Sequence, residues 1–389
     1  MNIFIHVIPY LSIIYLVFMA FRLGEGSSSH LPHVKNVWYQ DFFSSSQISR
    51  HRNASNFSQA ELPYYHYENT LAYISDSSII THIIRGENNI LFTPSKKFYL
   101  TSSKVGNTIH LYESSGIKKW SLQTLGVPHI SPKGNIIMIA TTDNTSITLY
   151  NQAREILLPQ TFISSFITDF SFSAENDALV LGTIEGVSYY YKYLNDSLAT
   201  WNIPQSRYTY IKSIEISKNA NYIAILSGLE PERLTLYEVT EQGTTQNTTA
   251  PLQPKISEKW SILTDQATRK KNSMFIDEAN EQLLDIRNQT LHIANLKNGK
   301  HLHQESMLSQ EDHTIDYALF SSVPGFYAVA TYQKEYTVLT VFTTQTHKPH
   351  WSYVYDNARP LNLEITLDNN YIAIMFTTHT AIYRYRLFY

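Results

Sequence analysis

The chain has no cysteine, which excludes disulfides, thiol catalysis, thiolate metal sites and a lipid-modified N-terminal cysteine. It also lacks a charge excess. Lys and Arg number 30 against 33 Asp and Glu, a net charge of −3, so no global field draws nucleic acid or an anionic membrane. Gly at 13 and Pro at 14 are few for 389 residues, whereas Tyr at 28 and Phe at 18 are abundant. That balance favours strands, whose pleated surfaces hold aromatic and β-branched side chains. The length suits two average domains or one repeat domain, and an all-β reading begins here.

One long apolar run is present. From Ile3 to Phe21 no residue carries a formal charge apart from a possible one on His6, and a run of about 19 such residues is close to the roughly 20 that cross a bilayer as a helix. Residues 1–23 are therefore expected to form an N-terminal hydrophobic helix, either a signal peptide, with Gly24 and Gly26 at cleavage-compatible spacing, or a transmembrane anchor. No basic side chain precedes the run and Arg22 comes after it, so membrane orientation stays open. Residues 24–64 read as a polar linker rich in Ser, Asn and Gln, in which Trp38, Tyr39, Phe42 and Phe43 could dock on the adjoining domain.

The remainder, 65–389, is organised by a repeat. A Ser-like residue is followed by a polar turn, five positions on by an apolar run, and after a gap by a short alternating strand that ends in an aromatic. The clearest copy runs from Ser131 through Ile136-Ile137-Met138-Ile139-Ala140 to Ile147-Thr148-Leu149-Tyr150. Thr93, Ser173, Ser217, Asp277, Ser321 and Thr366 lead the others, at successive spacings of 38, 42, 44, 60, 44 and 45. Four-stranded propeller blades repeat every ~40 to 50 residues. The long fourth interval coincides with a Thr, Gln and Pro-rich stretch read as an insertion loop at about 240–259. Apolar runs this short, flanked by turn residues, suit strands covered on both faces. Trp120, Trp201, Trp260 and Trp351 recur ahead of four repeats and mark outer strands packed on the next blade. The expected fold is a single β-propeller of seven four-stranded blades. Leu71-Ala72-Tyr73-Ile74 and Ile79 to Ile84 are expected to complete the last blade and close the ring.

The turn Ser131-Pro132-Lys133-Gly134-Asn135 resembles the Ser-Pro-Asp-Gly turn of WD40-like, TolB-like and YVTN propellers. Gly116-Ile117-Lys118-Lys119-Trp120 resembles the Gly-Lys-x-x-Trp ending of PQQ-like repeats, with its lysine displaced by one position. Regular Gly-His and Trp-Asp pairs of true WD40 repeats are not found. The resemblance spans about 65–389 and implies the propeller fold. It transfers no site residues.

No catalytic, cofactor-binding or metal-binding constellation stands out. His301 and His303 would share one strand face with Glu305 beside them, and His347 lies near His350; either pair could ligate a metal, but neither has a third histidine nearby. Gly182-Thr183-Ile184-Glu185-Gly186 matches the spacing of a nucleophile elbow, with Ile184 where the serine would be. Arg269, Lys270 and Lys271 read as a solvated loop, and Tyr189, Tyr190, Tyr191 and Tyr193 as packing more than as a sugar-stacking surface. Asn53, Asn56 and Asn247 head glycosylation sequons that matter if the source glycosylates exported proteins. The expectation is a non-enzymatic propeller without cofactors that binds a protein or peptide on one face and no nucleic acid. It would be membrane-anchored or exported, outside the cytoplasm, and periplasmic if bacterial. Two alternatives remain: an enzyme or small-ligand binder with its site in the central channel, and an envelope-assembly factor, which the PQQ-like resemblance implies.

Overall fold

The computed structural model describes residues 35–41, 64–85 and 90–384, apart from 242–253 and shorter stretches inside those ranges. Among the described residues all regular structure is strand, and no helix is long and apolar enough to cross a membrane. The segment Ile3 to Phe21, the sequons at Asn53, Asn56 and Asn247, and Arg269 to Lys271 lie outside the described residues.

Antiparallel sheets succeed one another along the chain. Sheet 1 covers 64–85, sheet 2 90–123, sheet 3 127–162, sheet 4 167–202, sheet 5 211–264, sheet 6 273–306, sheet 7 317–356 and sheet 8 360–384. Sheets 2 to 7 are four-stranded meanders; sheet 1 has three strands, and sheet 8 adds Lys35–Asp41 to three of its own. The seven repeats fall on sheets 2 to 8, so sheet 1 lies outside the repeat.

The recurrent serine fixes the turn from the first strand to the second. Ser131 Oγ accepts the Ile136 N–H at 3.1 Å, Ser173 Oγ that of Ala178 at 3.0 Å and Ser217 Oγ that of Tyr222 at 3.0 Å. A short side-chain acceptor here satisfies a backbone donor that the tight turn would leave unpaired. In sheet 2 the role belongs to Ser95, which accepts from Phe98 N–H at 3.1 Å, and not to Thr93, which sits within the first strand. In sheet 6 Asp277 holds Asn280 and Gln282.

Each apolar run is split between two cores by the period of two. Ile137 and Ile139 pack towards sheet 2, whereas Ile136, Met138 and Ala140 pack towards sheet 4. Ile223 and Ile225 likewise face sheet 4 while Ala224 and Leu226 face sheet 6. Among the described residues the interior is thus a series of clusters, one between each pair of sheets consecutive along the chain. The tryptophans behave as the sequence suggests: Trp120, Trp201, Trp260 and Trp351 lie on fourth strands, and the indole of Trp260 donates to Leu296 O of the next sheet at 3.0 Å.

Closure differs from expectation. The first strand of sheet 1, Tyr64–Tyr67, lies against both the first strand of sheet 8 and that of sheet 2. The strand that completes sheet 8 is Lys35–Asp41, running antiparallel to His379–Arg384. It falls within 24–64 and carries Trp38 and Tyr39, whereas Leu71–Ile74 and Ile80–Ile84 build sheet 1 instead. Of the stretch read as an insertion, Thr240–Glu241 and Pro254–Lys259 belong to a long paired hairpin and 242–253 lie outside the described residues.

Candidate functional site

A meander places its turns on two opposite faces. One face holds the turns from first to second and from third to fourth strands, here called the turn face. The other holds the turns from second to third strands together with the connections between sheets, here called the connection face.

On the connection face the described turns are tied to connections by backbone hydrogen bonds. Ile163 and Ile167 N–H donate to Thr145 O and Asn144 O at 2.7 and 3.0 Å, Ile184 N–H to Phe166 O at 3.0 Å, and Ile203 N–H to Gly186 O at 3.0 Å. Gly186 is required there: its φ is +81°, and a Cβ would come within 2.5 Å of Thr209 O. The segment Gly182 to Gly186 is this hairpin turn, in which Thr183 Oγ1 accepts the Val187 N–H at 3.0 Å and Ile184 points outwards. On the same face Leu125 is 76% exposed, Phe162 68% and Phe166 57%, with Leu91 and Val127 also exposed. Leu91, Leu125, Val127, Phe162, Phe166 and Ile184 belong to sheets 2 to 4 or the connections between them, so they share one sector of this face with exposed polar turn residues such as Asp143 and Glu185. Other exposed large apolar residues lie apart, with Leu263 and Val354 on the fourth strands of sheets 5 and 7 and Ile117, Ile156 and Leu302 towards the turn face.

The inner strands show how their charged groups are used. Asp169 accepts the Ile214 N–H of the next sheet at 2.9 Å. Lys212 pairs with Glu232, the two side chains 3% and 0% exposed, with the ring of Tyr210 5.8 Å from the ammonium. Thr264 Oγ1 lies 3.5 Å from Glu232. These contacts join strands and sheets beneath the connection face.

The turn face is polar and cross-linked from sheet to sheet. Lys133 and Lys218 flank Glu175 at 3.2 and 3.3 Å, Asn135 donates to Asp177 at 2.8 Å, and Asn221 donates to Glu278 at 2.9 Å. Asn280 donates to Val323 O at 3.0 Å and accepts from Gly325 N–H at 2.9 Å. Burial raises the Glu175 pKa, but hydrogen bonds and charge from Lys133 and Lys218 outweigh it and hold the group below its ordinary value.

The histidines are regrouped by the fold. His303 stacks on His347 of the next sheet, centroids 5.9 Å apart, with its Nε2 3.1 Å from Glu305. His301 meets His292 at 6.4 Å, and His350 meets Phe326 at 6.2 Å. Among the described residues no group of three or more His, Cys, Asp or Glu side chains is placed to hold a metal ion. His292 and His301 line a cleft between sheets 5 and 6, of about 280 Å³ counting its mouth, beside the Arg287–Asp285 ion pair at 2.6 Å. Burial, then Arg287 and His301, push the His292 pKa down to about 4. Tyr189, Tyr190 and Tyr191 are buried, the outer two towards sheet 3 and Tyr190 towards sheet 5, and Tyr193 packs against the first of those clusters. Sequence reasoning missed Leu125, Phe162 and Phe166. Two of them lie in connections, which carry no periodicity, and the third ends an outer strand.

No curated protein matches the chain. Among solved structures, the C-terminal WD40 domain of Sif2 is similar at a TM-score of 0.58 and 13% identity, over 91% of this chain and 99% of that one. BamB from Moraxella catarrhalis is similar at a TM-score of 0.53 and 10% identity, over 90% of this chain and 100% of that one. At such identities the likeness speaks for the fold alone. A family model described as a beta-propeller protein matches residues 1–247, more than half of the chain. With sheets that succeed one another as meanders and share a core at each junction, the chain belongs to that family of β-propeller proteins.

Proposed function

We propose that the chain is a non-enzymatic scaffold, its eight sheets the blades of one ring, that binds a protein or peptide on the connection face. The observation that carries this reading is the apolar sector of Leu91, Leu125, Val127, Phe162, Phe166 and Ile184 over sheets 2 to 4. Single exposed apolar side chains are ordinary, whereas six gathered on one face of three successive sheets, at strand ends, connections and a turn held by backbone hydrogen bonds, suit a protein-binding surface. The buried charges Asp169, Lys212 and Glu232 serve the frame, which argues against a reactive centre built from them. The apolar run Ile3 to Phe21 supports presentation at, or export across, a membrane. An envelope-assembly role is a narrower form of the same reading.

The test is chemical crosslinking of the full-length protein in its native cells, with fractionation, comparing wild type with Phe166→Asp/Ile184→Asp. Exposed positions of this kind change stability by about 0.5 kcal/mol or less, so the variant keeps its fold. A defined partner recovered from the membrane or exported fraction with wild type and lost with the variant is the expected result. A partner retained by the variant, or a soluble protein without partners, overturns the reading.

A further inference from the structure

Sheet 1 stops at three strands, Tyr64–Tyr67, Thr70–Ile74 and Ile80–Arg85, where each other sheet has four. Among the described residues no strand lies along the outer edge of Ile80–Arg85. Such an edge presents a row of backbone donors and acceptors, and proteins that protect one do so with lysine, proline or a cover. The strand Ile-Thr-His-Ile-Ile-Arg has neither lysine nor proline, and its one formal charge, Arg85, stands at its last position. Its own connection does not supply a fourth strand, because Arg85 ends the third strand and Ile90 already begins sheet 2. In sheet 2, by contrast, the chain between Glu113 and Val127 makes the strand Lys118–Gln123 before sheet 3 starts.

The other sheets show what the absent strand would contribute. All five tryptophans of the chain lie on fourth strands: Trp38 on Lys35–Asp41, and Trp120, Trp201, Trp260 and Trp351 on those of sheets 2, 4, 5 and 7. Trp120 packs in a cluster with Tyr150 of the next sheet and donates to Gln152 O at 3.0 Å. Trp201 meets Tyr237 of the next sheet edge-on at 5.7 Å. Tyr150 and Tyr237 stand at or near the end of a third strand's core segment, and Tyr112 is their counterpart in sheet 2. Tyr112 is partly buried, stacked on Tyr99 at 5.1 Å, beside the small cluster of Leu71, Phe92 and Tyr99 that joins sheets 1 and 2. Sheet 1 has no tryptophan to lay on it.

We infer that the outer edge of Ile80–Arg85 accepts an extended segment of a partner protein as an added antiparallel strand, with an aromatic side chain laid on Tyr112 of the next sheet as Trp201 is laid on Tyr237. The inference rests on the scaffold reading and deepens it. A strand paired antiparallel to Ile80–Arg85 ends at the Ile80 end, on the connection face, where the exposed apolar residues of sheets 2 to 4 begin with Leu91 of the next sheet. Backbone pairing supplies affinity and the aromatic contact supplies register, as in strand addition generally.

The probes are synthetic peptides copying the fourth strands of sheets 2 to 7, led by residues 116–125 with Trp120, titrated into the full-length protein and followed by amide hydrogen exchange. The expected result is slowed exchange at alternating amides of 80–85 on peptide binding. Tyr112→Ala should weaken binding about tenfold. N-methylation of one alternating set of peptide amides should abolish binding, and methylation of the other set should leave it intact. The inference is overturned if 80–85 already exchange as slowly as 137–140 in the free protein, which would mean the edge is covered by this chain or by a second copy. Binding that leaves 80–85 unprotected, or no binding by any of the peptides, also overturns it. The Phe166→Asp/Ile184→Asp variant separates the two ideas. Cellular partner capture that depends on Phe166 and Ile184 without peptide binding leaves the scaffold reading standing alone, and peptide binding without any cellular partner leaves the acceptor edge standing alone.

Discussion

The two faces of the ring use the same architecture in opposite ways. On the turn face, polar side chains run from sheet to sheet, Lys133 to Glu175 to Lys218, then Asn221 to Glu278, then Asn280 to Gly325. On the connection face, the links are backbone hydrogen bonds with a buried ion pair below them, and over sheets 2 to 4 six large apolar side chains stand exposed among polar turn residues such as Asp143 and Glu185. A surface whose frame is held from within leaves its side chains free for recognition, whereas one whose side chains are themselves the links cannot vary without loosening the ring.

The strongest way to break the comparison is to attack what holds the connection face from within. Lys212→Met leaves Glu232 charged in a site where its side chain is 0% exposed. Removal of one partner of a buried pair costs about 3–5 kcal/mol, whereas replacing both by apolar groups of similar size is often neutral. Urea denaturation should therefore show a large drop in midpoint for Lys212→Met and recovery in Lys212→Met/Glu232→Leu. A single variant as stable as wild type would mean that this face has no internal frame.

Legibility in the sequence divides along the same line. Ser131, Ser173 and Ser217 showed the turn face because each needs a short acceptor at a fixed distance from the next apolar run. In the first copy the five-residue spacing points to Thr93 and not to Ser95, because the sheet 2 turn closes in three residues. The tryptophans announced the fourth strands, since a large amphipathic ring is what spans two neighbouring sheets. Lys35–Asp41 was not legible as the closing strand. An outer strand buries one face at most, and its pairing partner, His379–Arg384, lies at the other end of the chain. The His303–His347 contact was hidden for a similar reason, since it joins two sheets and no local spacing carries it. The apolar sector was unreadable because its members sit in turns and connections, where an apolar residue answers no periodicity.

Acid sharpens the comparison by acting between the sheets and sparing the apolar sector. Burial is the first cause of lowered pKa values at His110, His129, His292 and His347, and that of His292 falls from 6.5 to about 4. Between those values the unfolded chain binds a proton at residue 292 that the folded chain does not, so stability falls as pH drops through this window, and below it the site adds no further loss. Urea midpoints should decline from pH 7 to pH 4, less steeply in His292→Gln. A slope unchanged by the substitution would show that His292 is open to protonation in the fold.

The smallest expected effect belongs to the turn face taken one link at a time. Glu175 touches Lys133 and Lys218, but the carboxylate is 27% exposed and the two lysines 34% and 63%. Water and salt screen such contacts, so Glu175→Gln should cost about 1 kcal/mol or less, with the gap to wild type narrowing as ionic strength rises. Because the folded pKa of Glu175 lies below its ordinary value, the contribution is present above that ordinary value and disappears as pH falls through the folded one. The measurement is a pair of urea curves at low and high salt. If Glu175→Gln lost as much as Lys212→Met, the polar links would be holding the ring together one by one; the expected small loss means that the turn face is held by their number, each link dispensable while the chain of them from sheet 3 to sheet 7 is kept.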